Sequence, residues 1–175
     1  PLVRSTCIEK KQIATKDFLP QLITEKEIKI SDYMIITDKL KGELNETLFI
    51  DVLIATFSPK DFNPEIIEKI PTSFFPFFIT NFFATKGFND GKSLFNELDD
   101  KYRYLTICNI DFCYAKKLFD FFDSSKIEQY WKEIKVERTY GLSSEEIKEL
   151  VKIALDKKRY DIALESICYS YDIFS

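Results

Sequence analysis

Apolar positions recur with a helical period over most of the chain. In the last third, Ile147, Leu150, Val151, Ala154 and Leu155 fall at i, i+3, i+4, i+7 and i+8, which gathers them on one helical face. Ser143 stands three residues before Glu146. Its hydroxyl can accept the Glu146 N–H while the Glu146 carboxylate accepts the Ser143 N–H, so a helix is expected to start there. Lys157, Lys158 and Arg159 follow and suit the negative end of the helix dipole. A second helix is expected from about Tyr160 to Phe174, with Ile162, Ala163, Ile167, Tyr171 and Phe174 available for burial. The pair reads as an antiparallel hairpin over residues 143–174.

Upstream, the same logic predicts further helices. Ser31 can cap one that runs through Leu40 and stops at Gly42, and Asn45 or Glu46 can open a strongly apolar one from Leu48 to Phe57, ended by Ser58-Pro59. Asn63-Pro64 is a cap followed by proline at the first helical position, launching a short helix to Ile70. Ser73 can cap a phenylalanine-rich helix ending at Gly87. Lys92 to Tyr104, Asp111 to Phe122, and a stretch from Ser124 or Ser125 through Lys135 complete the set. The expected fold is all-α, with about eight helices in antiparallel hairpins, either a bundle or a helical-repeat-like single domain over residues 1–175. Strand competes at residues 28–36 and 102–108, which are rich in β-formers. The hairpin over 143–174 resembles the scaffolds in which helical hairpins stack into a curved array, and the resemblance is architectural, without a family signature.

Composition supports this picture. Hydrophobic residues make up 45% of the 175 and charged residues 31%, with four glycines and six prolines, a profile of neither disorder nor a turn-rich sandwich. A chain of this length buries roughly 70% of its unfolded surface. The longest apolar stretch, Phe74 to Ala84, is interrupted by Pro76, Thr80 and Asn81, and the first twenty residues carry six charges without an apolar run. No membrane partner and a cytoplasmic location are expected. Cys7, Cys108, Cys113 and Cys168 form no CxxC pair, which favours reduced thiols used as small apolar side chains.

The chain contains no histidine. That removes Ser-His-Asp and Cys-His arrangements and histidine-containing zinc sites. Its glycines form neither GxGxxG nor GxxxxGK[ST], and there is no SxxK or GxSxG sequence. No metal, cofactor or catalytic residue is expected. Phe74, Phe75, Phe78 and Phe82 form one helical stripe with Phe77 away from it, so this helix is either central to a core or meets a partner on a second face. Trp131 reads as a core anchor or a binding hot spot.

The charge pattern narrows the remaining functions. Acidic residues concentrate at Glu97, Asp99 and Asp100 and again at Asp120 and Asp123, within a net charge of −4. They are expected either as a solvated face or as a patch facing a basic protein. Lys10-Lys11, Lys116-Lys117 and Lys157-Lys158-Arg159 could contact phosphates, with Tyr102, Tyr104, Tyr114 and Trp131 as stacking surfaces. Against this, only four of 25 basic residues are arginine and the lysine pairs are interspersed with carboxylates. The expectation is a non-enzymatic protein-binding domain, in its sharper form an immunity or inhibitor protein covering a basic toxin such as a nuclease. The alternative is a nucleic-acid-associated regulatory domain using the lysine pairs.

Overall fold

Helical spacing in the sequence becomes helix nearly throughout. The computed structural model describes residues 28–39, 46–139 and 142–174, with no strand among them. The chain divides into two compact units at the Asp99–Asp100 bond.

The first unit contains α1 (Ile30–Lys39), α2 (Glu46–Thr56), a 3-10 turn (Pro59–Asp61), α3 (Pro64–Lys69) and α4 (Phe75–Glu97). Where strand competed, at residues 28–36, the chain is helical from Ile30, and Tyr33 and Met34 are buried. Ser31 is not the cap, because the Lys29 carbonyl accepts the N–H groups of Asp32 and Tyr33, both at 3.0 Å. The expected stop at Gly42 lies outside the described residues. Asn63 does cap α3, its Oδ1 accepting the Ile66 N–H at 3.0 Å. Ser73 does not cap α4; the Pro71 carbonyl takes the N–H groups of Phe74 and Phe75, so a backbone turn supplies what a hydroxyl would have.

α4 is the core of this unit, packed by α2 and by the 3-10 turn. Phe75, Phe78, Ile79, Phe82 and Phe83 are buried, and Phe62 meets Phe78 and Phe82 with ring centroids 5.5 and 5.2 Å away. Gly87 breaks the helix as expected, but the helix resumes on its far side. Its φ of 80° with ψ of 178° is backbone space that glycine alone adopts at low cost. Beyond it the Phe83 ring lies against Gly91, where an added Cβ would come within 2.5 Å of ring carbon Cε1.

The expected helix over residues 92–104 is two helices. Leu98 is buried with extended backbone, its N–H closing on the Phe95 carbonyl, and Asp99 precedes a new helix. Two carboxylates in a row favour a helix start over a helix interior.

The second unit contains α5 (Asp100–Asn109), α6 (Phe112–Ala115), a 3-10 stretch (Lys116–Phe121), α7 (Ser124–Glu133), a 3-10 turn (Val136–Thr139), α8 (Ser144–Asp156) and α9 (Tyr160–Phe174). Residues 102–108 are helix despite their β-formers: Tyr102, Thr106 and Ile107 share the buried side, and the Thr106 hydroxyl donates to the Tyr102 carbonyl at 2.8 Å. The expected single helix from Asp111 to Phe122 tightens to 3-10 after Ala115. Its buried residues Phe112, Ala115 and Leu118 are spaced by three, the period of that helix. Trp131 is buried beside Phe112 and Tyr130, both at 5.7 Å, as a core anchor.

The C-terminal hairpin forms as the spacing predicts. Ser143 and Glu146 make the reciprocal cap, the Ser143 N–H donating to Glu146 Oε2 at 2.9 Å. α8 ends with Lys158 at φ 59°, the Arg159 N–H reaching the Ala154 carbonyl at 2.8 Å and the Lys158 N–H the Leu155 carbonyl at 3.0 Å. Arg159 serves a different helix end from the one its sequence position suggests. Its guanidinium donates to the Trp131 carbonyl and, at 3.0 Å, to the Ile134 carbonyl, both at the C-terminus of α7, while Asp161 accepts from Nε at 2.8 Å.

Two predictions follow from this packing. Phe78→Ala should lower the unfolding free energy by about 3–5 kcal/mol, and Gly91→Ala by about 1–3 kcal/mol through overpacking against Phe83, both read from denaturant midpoints. Asp161 is held down to about 2 by the hydrogen bond from Arg159, and Glu146 is held below the usual carboxylate range by the Ser143 N–H. A depressed folded-state pKa stabilises above the unfolded value, about 4, and that contribution is lost on acidification. The protection of hairpin amides, measured as exchange relative to the unstructured rate at each pH, should therefore fall as pH drops from about 4 toward 2, and Asp161→Asn should flatten part of that dependence.

Candidate functional site

The five expected partner-facing carboxylates are all exposed. Glu97 ends α4 and Asp99 lies in the break after it, both in the first unit. Asp100, Asp120 and Asp123 belong to the second. Asp100 opens α5 and pairs with Arg103 at 3.7 Å. Asp120 sits on the 3-10 stretch that follows α6, three residues before Asp123. Asp123, rather than Ser124 or Ser125, caps α7, its Oδ1 accepting the Lys126 N–H at 2.8 Å. Asp100 and Asp123 thus also serve local structure. Among the described residues no group of three or more Cys, Asp or Glu side chains converges as metal ligands.

Several basic residues that could have met phosphates are engaged within the second unit. Lys116 pairs with Glu149 at 2.5 Å, Lys157 pairs with Glu128, and Arg159 is held by carbonyls and Asp161. Lys10-Lys11 lies outside the described residues. Tyr102 and Trp131 are buried and offer no open ring face.

One polar cluster was not legible from spacing. The Tyr104 hydroxyl of α5 donates to Glu133 Oε2 of α7 at 2.9 Å, with the Cys108 sulfur 3.9 Å from the same oxygen. Gln129 donates to the other carboxylate oxygen at 2.8 Å, and the Lys126 ammonium lies 4.9 Å from the Tyr104 ring centroid. Burial, reinforced by Glu133, pushes the Cys108 thiol up to about 11, so at neutral pH it is a weak nucleophile. Burial and the hydrogen bond to Glu133 raise the Tyr104 phenol as well. The cluster works as a lock between α5 and α7. Its members come from helices far apart in sequence, so no local pattern announces it.

The hairpin presents a second unexpected surface. Tyr160, Leu164 and Ile167 on α9 are 63%, 64% and 39% exposed, and Leu155 at the end of α8 is 48% exposed. Ile162 and Ala163 are buried as expected, whereas Ile167 is not; the side chains of Tyr171 and Phe174 are outside those described. The α9 face turned inward carries Ile162, Ala163 and Ser166, the last with its hydroxyl 3.4 Å from that of Thr139. A helix with two apolar sides can bury only one against a single neighbour. In the first unit, Phe77 stands off the buried stripe of α4 and is 36% exposed.

No helix among the described residues is long and apolar enough to cross a membrane. Compared with protein families, curated proteins and solved structures, the chain matches none. The double role of Asp123 gives a direct expectation. Asp123→Ala should cost about 1 kcal/mol through loss of the α7 cap, and Asp123→Ser much less, in chemical denaturation.

Proposed function

We propose that this chain acts by binding a basic protein, using exposed carboxylates, and that it serves as an immunity or inhibitor protein for a toxin of that charge. The observation that carries the reading is the exposure of Glu97, Asp99, Asp100, Asp120 and Asp123, on a chain of net charge −4. Complementary potentials accelerate encounter with a basic surface and reject acidic competitors. The engagement of Lys116, Lys157 and Arg159 within the second unit supports this reading over phosphate contact. The absence of histidine fits action by occlusion rather than by proton transfer.

The test is capture on the immobilised chain from the source cell at low and high salt, beside a variant carrying Glu97→Lys, Asp99→Lys, Asp100→Asn, Asp120→Lys and Asp123→Ser. The serine retains the α7 cap, so stability is kept while charge is lost. One stoichiometric basic protein should be retained by the native chain, more weakly at high salt, and lost from the variant. Adding the native chain should suppress that protein's activity. Recovery of nucleic acid, or retention untouched by the five substitutions, would overturn the reading.

A further inference from the structure

Along α9 the sequence places apolar residues at the spacing of a helix-pairing seam. Tyr160, Leu164, Ile167, Tyr171 and Phe174 are separated by four, three, four and three residues, the repeat with which one helix packs lengthwise along another. Its first three positions are exposed, on a different side from buried Ile162, Ala163 and Ser166, and exposed Leu155 of α8 adds to the apolar surface of the same hairpin. Isolated exposed apolar residues are ordinary, but a row at helical spacing has the form that groove-and-helix recognition uses.

Charge decides what fits the seam. The fifteen residues of α9 include Asp161, Glu165 and Asp172 and no lysine or arginine. Glu165 follows Leu164 and is exposed, and Asp161 is already paired with Arg159. A second copy laying its own α9 along this one would add like charges with no basic residue on either helix to offset them. The exposed hairpin lysines are Lys148 and Lys152 on α8 and Lys158 in the turn, none of them on α9. We infer that α9 is a docking face for an amphipathic helix of a partner protein, one with apolar residues at the same four-three spacing and lysine or arginine flanking them. This rests on the proposal that the partner is basic, and adds where and in what form that partner is held.

The probe is a synthetic helical peptide about 21 residues long, three heptads with leucine at the two seam positions and lysine at most others. Two control peptides accompany it: a scramble of the same composition, and a version with glutamate in place of lysine. Binding to the full chain is followed by fluorescence anisotropy. The patterned lysine peptide should bind at least about tenfold more tightly than either control. Leu164→Glu should weaken it by about tenfold or more. That substitution adds negative charge, so a purely electrostatic association would strengthen instead. Glu165→Lys should weaken binding several-fold; both positions are exposed, and circular dichroism verifies that the variants remain folded.

Equal binding of the scrambled or glutamate peptide, or indifference to Leu164→Glu, would overturn the assignment. So would dimerisation of the chain in sedimentation that Leu164→Glu abolishes, since a second copy would then own the face. Binding of the captured basic partner separates the two proposals. If it is lost in the five-carboxylate variant yet untouched by Leu164→Glu, the partner's charge stands and the docking face falls.

Discussion

The Arg159 guanidinium fixes the architecture of the second unit. The C-terminus of α7 leaves carbonyls without helical partners, and those of Trp131 and Ile134 belong to buried residues that water reaches poorly. Arg159 supplies N–H donors to both, with Asp161 behind it keeping the fork aligned and charged. Lysine could not reproduce that planar arrangement. Because Arg159 stands at the turn into α9, whose Ala163 N–H bonds to the Arg159 carbonyl, satisfying α7 also fixes how α9 begins. The inward face of α9 is therefore Ile162, Ala163 and Ser166, and the Tyr160, Leu164 and Ile167 side is left outward.

In the first unit the equivalent constraint is steric. Phenylalanines on α4 fill the core, and such a helix could run on straight only by exposing part of its apolar surface. Gly87 lets it change direction, and Gly91 lets the Phe83 ring sit where a side chain would otherwise stand. The two glycines act together, one through backbone freedom and the other through absence of volume. Leu98 then draws the chain inward again and ends the helix.

Signals contained within one turn of sequence were legible: the Ser143–Glu146 cap, the Asn63-Pro64 start, the break at Gly87 and the exposure of the acidic residues. The failures share a cause, which is that burial decides between options that local patterns leave open. Residues 102–108 are β-formers, yet Tyr102, Thr106 and Ile107 fall on one side only when helical. Phe112, Ala115 and Leu118 repeat every three residues, a period easily absorbed into a 3.6-residue reading. α9 is apolar on two sides, which leaves no local reason to prefer one for burial, and Ile167, available for burial by its spacing, lies on the exposed one. The Tyr104–Glu133–Cys108 cluster needed α5 and α7 to be placed first.

Charge and apolar surface divide the work of recognition differently. Exposed carboxylates such as Asp120 act at a distance of several ångströms, are screened by salt, and mainly raise the rate and selectivity of encounter. An apolar row such as Tyr160 and Leu164 acts only in contact, and burying it slows dissociation. A surface of carboxylates alone would attract many basic molecules and hold few of them. Asp123 shows how tightly such residues can also be bound into the fold, since the carboxylate that contributes to the field also starts α7. Leu164 has no such structural duty on its outward side, and its exposure costs the free chain apolar hydration that a docked helix would recover. If the chain binds a basic protein as proposed, that asymmetry makes the hairpin, more than the carboxylates, the surface that holds one such partner in preference to another.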